Sequence, residues 1–128
     1  MPIDINPVVP QGRQLVQSYG DGRFKISTVE YTGSVFVFPE ETLSWYIKSV
    51  EDISIEALAP ITAVADDYDI ILIGAGSHFG RIPFELRKAL KQEFELVLEW
   101  MDTGAACRTF NVLIGEERRV AAALIAVQ

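Results

Sequence analysis

Three stretches near the start of the chain, residues 15–19, 24–31 and 35–38, are dense in aliphatic, aromatic and β-branched side chains. The gaps between them are short and carry glycine, Gly20-Asp21-Gly22 and Thr32-Gly33. Strand-length apolar runs joined by such gaps predict hairpins, so the first third of the chain reads as an antiparallel meander. A short apolar segment through Trp45-Tyr46-Ile47 follows, and from Ser54 the period changes. Ser54 is placed to cap a helix carrying Ile55, Leu58 and Ile61, while Pro60 predicts a bend or a restart within it, because proline lacks an N–H and crowds the preceding turn. Residues 70–73 are apolar at every position, as in a strand covered on both faces. Pro83 suits the first residue of a helix whose inward stripe is Leu86, Ala89 and Leu90. Phe94, Leu96, Leu98 and Trp100 alternate with Glu95, Val97, Glu99 and Met101, which predicts a strand with one wetter face. Asp102 or Thr103 caps a third helix ended by Gly115. Residues 120–127 are apolar throughout and predict a central strand whose alanines let neighbouring layers approach.

Hairpins followed by alternating helix and strand define an α/β fold: a single three-layer domain, with a mixed central β-sheet covered by helices and an N-terminal antiparallel β-meander. Residues 1–12, with Pro2, Pro7, Pro10 and Gly12, read as a loosely ordered arm, and residues 13–128 as the domain. The 128 residues are enough for a real core. The formal net charge of −7 argues against nucleic acid as a partner, because neutralising phosphates needs clustered Lys and Arg. One cysteine, Cys107, excludes an internal disulfide and a cysteine metal cluster, and one histidine without H-x-x-x-H spacing gives no zinc signature. Neither a metal nor a cofactor is expected. The first residues carry no basic and apolar leader and no Arg-rich amphipathic helix, and no uncharged apolar run approaches the ~20 residues that cross a bilayer. The expectation is a cytoplasmic protein without a membrane span, free to associate peripherally with a membrane.

Residues 70–80, Ile-Ile-Leu-Ile-Gly-Ala-Gly-Ser-His-Phe-Gly, run from a buried strand into a glycine-rich turn ahead of a helix. Dinucleotide sites are built this way, but position 79, where G-x-G-x-x-G needs its third glycine, holds Phe79. Tight strand-to-helix geometry is the better account of Gly74, Gly76 and Gly80. A second reading keeps the loop as an anion or small-molecule site, with Gly74, Gly76 and Ser77 joined by Arg108 and Asn111 from the third helix. Ser77, His78 and Cys107 do not make a nucleophile and base, since sequence neighbours are not a triad and no G-x-S-x-G elbow exists. Cys107 falls early in a helix beside Arg108, which lowers a thiol pKa, yet cysteine is also a common small buried hydrophobe. No catalytic residue is assigned.

On the second helix, Phe84, Arg87, Lys88 and Lys91 fall at i, i+3, i+4 and i+7, opposite the inward stripe. Phe79 and Arg81 precede them. On an acidic protein this is a local basic and aromatic face. It is either an ordinary solvated surface or a place where a protein partner docks, aromatic and arginine side chains being favoured anchors. Homodimerisation through an exposed strand edge is a further reading.

With Leu72-Ile73-Gly74-Ala75-Gly76 and the segment from Glu99-Trp100-Met101-Asp102-Thr103 to Asn111-Val112-Leu113 in view, and Arg119 to Ile125 after them, the chain resembles the family of mitochondrial complex I assembly factor 3 and its bacterial and archaeal relatives. The resemblance spans nearly the whole domain. It implies a compact α/β fold with a mixed central sheet and a scaffolding role: pairing with another assembly factor, or with respiratory-complex subunits, during assembly of a membrane complex. It carries no catalytic residues. Without a transit peptide the chain looks like a prokaryotic relative, a non-enzymatic interaction protein docking through the second-helix face.

Overall fold

The computed structural model describes residues 2–4, 12–77 and 80–128. A first, antiparallel sheet holds β1 (Ile3–Asp4), β2 (Val16–Gly20), β3 (Arg23–Ile26) and β4 (Val29–Thr32) in that order. Gly20 pairs with Arg23 across a two-residue loop, Asp21-Gly22, in which both residues have positive φ. This is the backbone that fits the twist of a hairpin. The stretch 24–31 is not one strand but a second hairpin. Ile26 pairs with Val29 around Ser27-Thr28, at φ 46° and 72°. Side chains fix that turn without glycine. The Ser27 hydroxyl accepts from the Leu15 N–H at 3.0 Å, and Gln17 Oε1 accepts from the Thr28 N–H at 2.8 Å. The N-terminal segment takes part in this sheet at Ile3 and Asp4, which pair with Tyr19 and Ser18.

The stretch 35–38 also differs from expectation. β5 (Val35–Val37) leaves the meander and pairs with β6 (Thr42–Ser44) and with β9 (Val120–Leu124) in a second, five-stranded sheet. All three residues of β5 are buried, as in a strand covered on both faces. The sheet order is β6-β5-β9-β7-β8, with β7 (Ile70–Gly74) and β8 (Val97–Met101) parallel to β9. β9 is thus the middle strand, as its composition implies.

Among the described residues three helices have α-geometry. α1 (Ala59–Thr62) is a restart after a 3-10 turn, with Pro60 in its first turn, and the Ser54 hydroxyl accepts from the Ala57 N–H at 3.2 Å. α2 (Phe84–Phe94) crosses from β7 to β8. Pro83 lies one position outside it, with extended ψ, as the N-cap. Phe94 is its last residue rather than the start of a strand. Glu95 turns left-handed (φ 56°), and the Leu96 N–H reaches the Leu90 carbonyl at 3.0 Å to close the end. The alternation from Phe94 to Trp100 therefore runs across a helix terminus. α3 (Thr103–Gly115) returns from β8 over β7 to β9. Asp102 caps it, its Oδ1 accepting from the Ala105 N–H at 2.7 Å.

Strand periodicity sorts the core into two halves. Ala121, Ala123, Ile71 and Ile73 face Leu86 and Leu90 of α2 and the Ala57–Ile61 turns. Ala122, Leu124 and Leu72 face Ala106, Cys107, Phe110 and Ile114 of α3, together with Val16, Phe24 and Ile26 of the first sheet. Small residues on the middle strand let both layers sit close. A large apolar side chain buried this way contributes roughly 1.5–3 kcal/mol. The architecture is the three-layer α/β domain expected.

Candidate functional site

The glycine turn is held by its own neighbours. A Cβ on Gly74 would lie 3.0 Å from the Thr103 Cα and 3.2 Å from the Ala106 Cβ, tighter than ordinary packing, so glycine lets α3 pass close to the end of β7. Gly76 has room for a side chain but sits at φ 90°, which L-residues avoid. Its N–H donates to Thr103 Oγ1 at 3.0 Å, and that hydroxyl donates in turn to the Ile125 carbonyl at 2.7 Å. The Ala75 N–H donates to the Met101 carbonyl at 2.8 Å, and the Ile125 N–H to the Gly74 carbonyl at 2.9 Å. The ends of β7, β8 and β9 are stitched together here. Two of the amides that a phosphate would need, those of Ala75 and Gly76, already donate inside the protein.

Beside this stitch lies a cleft of about 710 Å³, at the carboxyl ends of β7 and β9. Ala75, Gly76 and Ser77 form one wall and Asp102 and Gly104 of α3 another; Tyr19, the turn at 48–51 and the chain's last residues complete it. Clefts outside the carboxyl ends of parallel strands are where α/β folds ordinarily bind small molecules. Gly76 and Ser77 are thus brought to a concavity, with the buried Gly74 behind them. Arg108 and Asn111 do not line it. Asn111 is buried on the far side of α3: its amide oxygen accepts from the Val16 N–H at 3.0 Å and its amide nitrogen donates to the Val16 carbonyl at 2.9 Å. Arg108 is exposed. Tyr19, Lys48, Asp102 and Gly104 were not legible as site residues, because they come from separate segments with no common motif. A signal existed for Tyr19 alone, a hydroxyl-bearing ring where the strand's apolar face asks only for a hydrophobe.

Cys107 is fully buried. Burial pushes its thiol far above the ordinary cysteine range, and the nearby Arg108 charge offsets only part of this. It stays a protonated packing residue at neutral pH. Among the described residues, no group of three or more His, Cys, Asp or Glu side chains is arranged to hold a metal.

The second surface is the outer face of α2. Arg81, Phe84, Arg87, Lys88 and Lys91 are all exposed, Phe84 by 69 %. Among the described residues none of these cations has an ion-pair partner; one Arg87 Nη lies 3.5 Å from the Leu98 carbonyl on edge strand β8, a long and weak contact. Ala89, expected inward, is half-buried. Phe79 and His78 lie outside the described residues. No described helix is long and apolar enough to cross a membrane.

The fold and these surfaces define a small α/β domain with a cleft at its strand ends and a basic, aromatic helix face. The chain belongs to the family described as protein of unknown function (DUF498/DUF598), which matches residues 16–125. It is 32 % identical over 113 residues to NADH dehydrogenase (ubiquinone) 1 alpha subcomplex assembly factor 3 of Xenopus tropicalis, covering 88 % of this chain and 61 % of that protein. It therefore spans about three-fifths of the length of the curated assembly factor. A bacterial relative, the uncharacterized protein RCAP_rcc01784 of Rhodobacter capsulatus, is 32 % identical over 113 residues, covering 86 % of this chain and 82 % of its own length. Among solved structures, one described as an outer membrane protein from Bartonella henselae superposes with a TM-score of 0.83 at 34 % identity, over 91 % of this chain and 98 % of that one.

Proposed function

We propose that this chain is a non-enzymatic protein-interaction domain, acting as an assembly or accessory factor for a complex I-like respiratory membrane complex, and that it docks through the outer face of α2. The observation that carries this is Phe84, a large aromatic 69 % exposed in a basic strip on a chain of net charge −7, within a family whose curated relatives include complex I assembly factors. A lone exposed apolar residue is ordinary, but one ringed by Arg and Lys has the composition of an interface anchor. Burial of the chain's one thiol keeps its strongest nucleophile from surface chemistry and supports the non-enzymatic reading. The partner is a respiratory-complex subunit or a second assembly factor, met by a cytoplasmic protein that touches the membrane only peripherally.

The test is affinity capture from source-cell extract with the tagged chain and its Phe84→Ala/Arg87→Ala variant. Both side chains are exposed, so the variant is expected to keep its melting temperature and lose respiratory-complex subunits by at least about tenfold, the scale of a hot-spot residue. Equal recovery by both proteins overturns the assignment of the surface, and absence of respiratory subunits from the wild-type capture overturns the assembly role.

A further inference from the structure

Tyr19 lies near the end of β2 with its ring in the core half beneath α3, and is only 8 % exposed. Its hydroxyl has no hydrogen-bond partner among the described residues, yet no buried side-chain oxygen there is left sealed and unpaired. The oxygen therefore meets open space, and the space is the cleft beside Ser77, of which Tyr19 is a wall. Room has been made for it. Gly104, in the first turn of α3, lies against the phenol, and a Cβ there would collide with the Tyr19 oxygen. Phenylalanine would fill the core as well, whereas a tyrosine so deeply buried ordinarily gives its O–H a partner. The hydroxyl is left for something that enters the cleft.

The walls say what enters. Asp102 presents a carboxylate of which only Oδ1 is engaged, by the Ala105 N–H. Lys48 presents an exposed ammonium that forms no ion pair among the described residues. Glu51 accepts from the Ser49 hydroxyl, which with its own backbone N–H holds the carboxyl below its usual range and so keeps it charged. A simple anion would meet Asp102 and Glu51 on a chain of net charge −7, and a simple cation would leave Lys48 unanswered. Val50, Ile125 and Val127 add an apolar wall. We propose that this cleft binds a small zwitterion of the α-amino acid class with an apolar side chain. Its ammonium faces Asp102, its carboxylate faces Lys48, and the Tyr19 hydroxyl fixes it at the start of α3. The site uses no residue of the α2 face, so it stands or falls independently of the docking surface.

The experiment is a titration of the ¹⁵N-labelled full chain, read amide by amide, with each of the twenty free L-amino acids and with propylamine and propionate as half-molecules. Expected are saturable shifts at Gly76, Ser77, Gly104 and Val127 with an apolar amino acid, bound at least about tenfold more tightly than either half-molecule. Tyr19→Phe keeps the ring and removes one hydrogen bond, so the affinity is expected to fall about tenfold at an unchanged melting temperature. Lys48→Gln, at an exposed position that leaves the fold intact, is expected to weaken the amino acid but not propylamine. No saturable shift at these amides with any of the twenty, half-molecules that bind as well as the whole, or a ligand indifferent to both substitutions overturns the proposal.

Discussion

At the residue scale, polar side chains inside this protein are joints. Asn111 holds both backbone groups of Val16, residues far apart in the chain, and so fastens the first sheet to α3. Thr103 does the same for the Gly76 turn and the end of β9. Each replaces water for groups that would be costly to leave unpaired. Cys107 is the opposite case, a titratable group with burial as its dominant influence. Its folded pKa is raised, so above the unfolded thiol's pKa of about 8.5 the unfolded chain releases a proton that the folded chain keeps. Stability is therefore full below that pH and falls as pH rises, by at most about 1.4 kcal/mol per pH unit. Denaturant midpoints measured between about pH 8.5 and 9.5 test this, below the ordinary tyrosine range. Cys107→Ala is expected to lower stability by a constant amount, through lost packing, while flattening the slope. An unchanged slope would mean that the thiol titrates in the folded protein as it does in the unfolded one.

At the element scale, the parts that were legible in the sequence are those where side-chain period and local chemistry agree. The all-apolar β7 and β9, the Asp102 cap and the Pro60 restart came from rules that act within a few residues. The misreadings fall where a side chain stands in for glycine. Ser27-Thr28 and Glu95 all adopt positive φ. Without a glycine to mark them, the 24–31 hairpin read as one strand and the end of α2 as the start of another. β5 was misplaced for a different reason, since pairing with β9 is a contact of long sequence separation that no local pattern encodes. The cleft escapes a local reading for the same reason: Gly76 and Ser77 of its lining stand out in the sequence as site candidates, whereas Tyr19, Lys48 and Asp102, which face the proposed ligand, do not. These left-handed positions also carry a measurable strain. Thr28→Gly keeps the N–H that bonds Gln17 and relieves a β-branched residue at φ 72°, so it is expected to stabilise by about 0.5–1 kcal/mol. Ser27→Gly shares the backbone relief but loses the hydroxyl that accepts from Leu15, and is expected to be neutral or destabilising. Thermal denaturation of the two variants separates the contributions; equal gains from both would show that the Ser27 hydroxyl contributes nothing to the turn.

At the scale of the whole molecule, charge is unevenly laid out. The chain carries a net charge of −7, but α2 turns Arg87, Lys88 and Lys91 outward around Phe84. A partner approaching from afar meets an acidic body, and only one that carries its own negative patch gains at close range by docking on α2. Such an interface has a characteristic kinetic signature. Rim charges act mainly on the association rate and are screened within a Debye length of ~8–10 Å, whereas a buried aromatic anchor acts on the dissociation rate. If the α2 face is the docking surface, Lys88→Glu/Lys91→Glu is expected to slow association several-fold at low salt, with the difference shrinking by 0.5 M salt. Phe84→Ala is expected to leave association nearly unchanged and to speed release. Surface-immobilised kinetics with the captured partner measure both rates. A charge-reversed helix that associates as fast as the wild type at low salt would show that the basic strip only solvates this face and that the partner binds elsewhere.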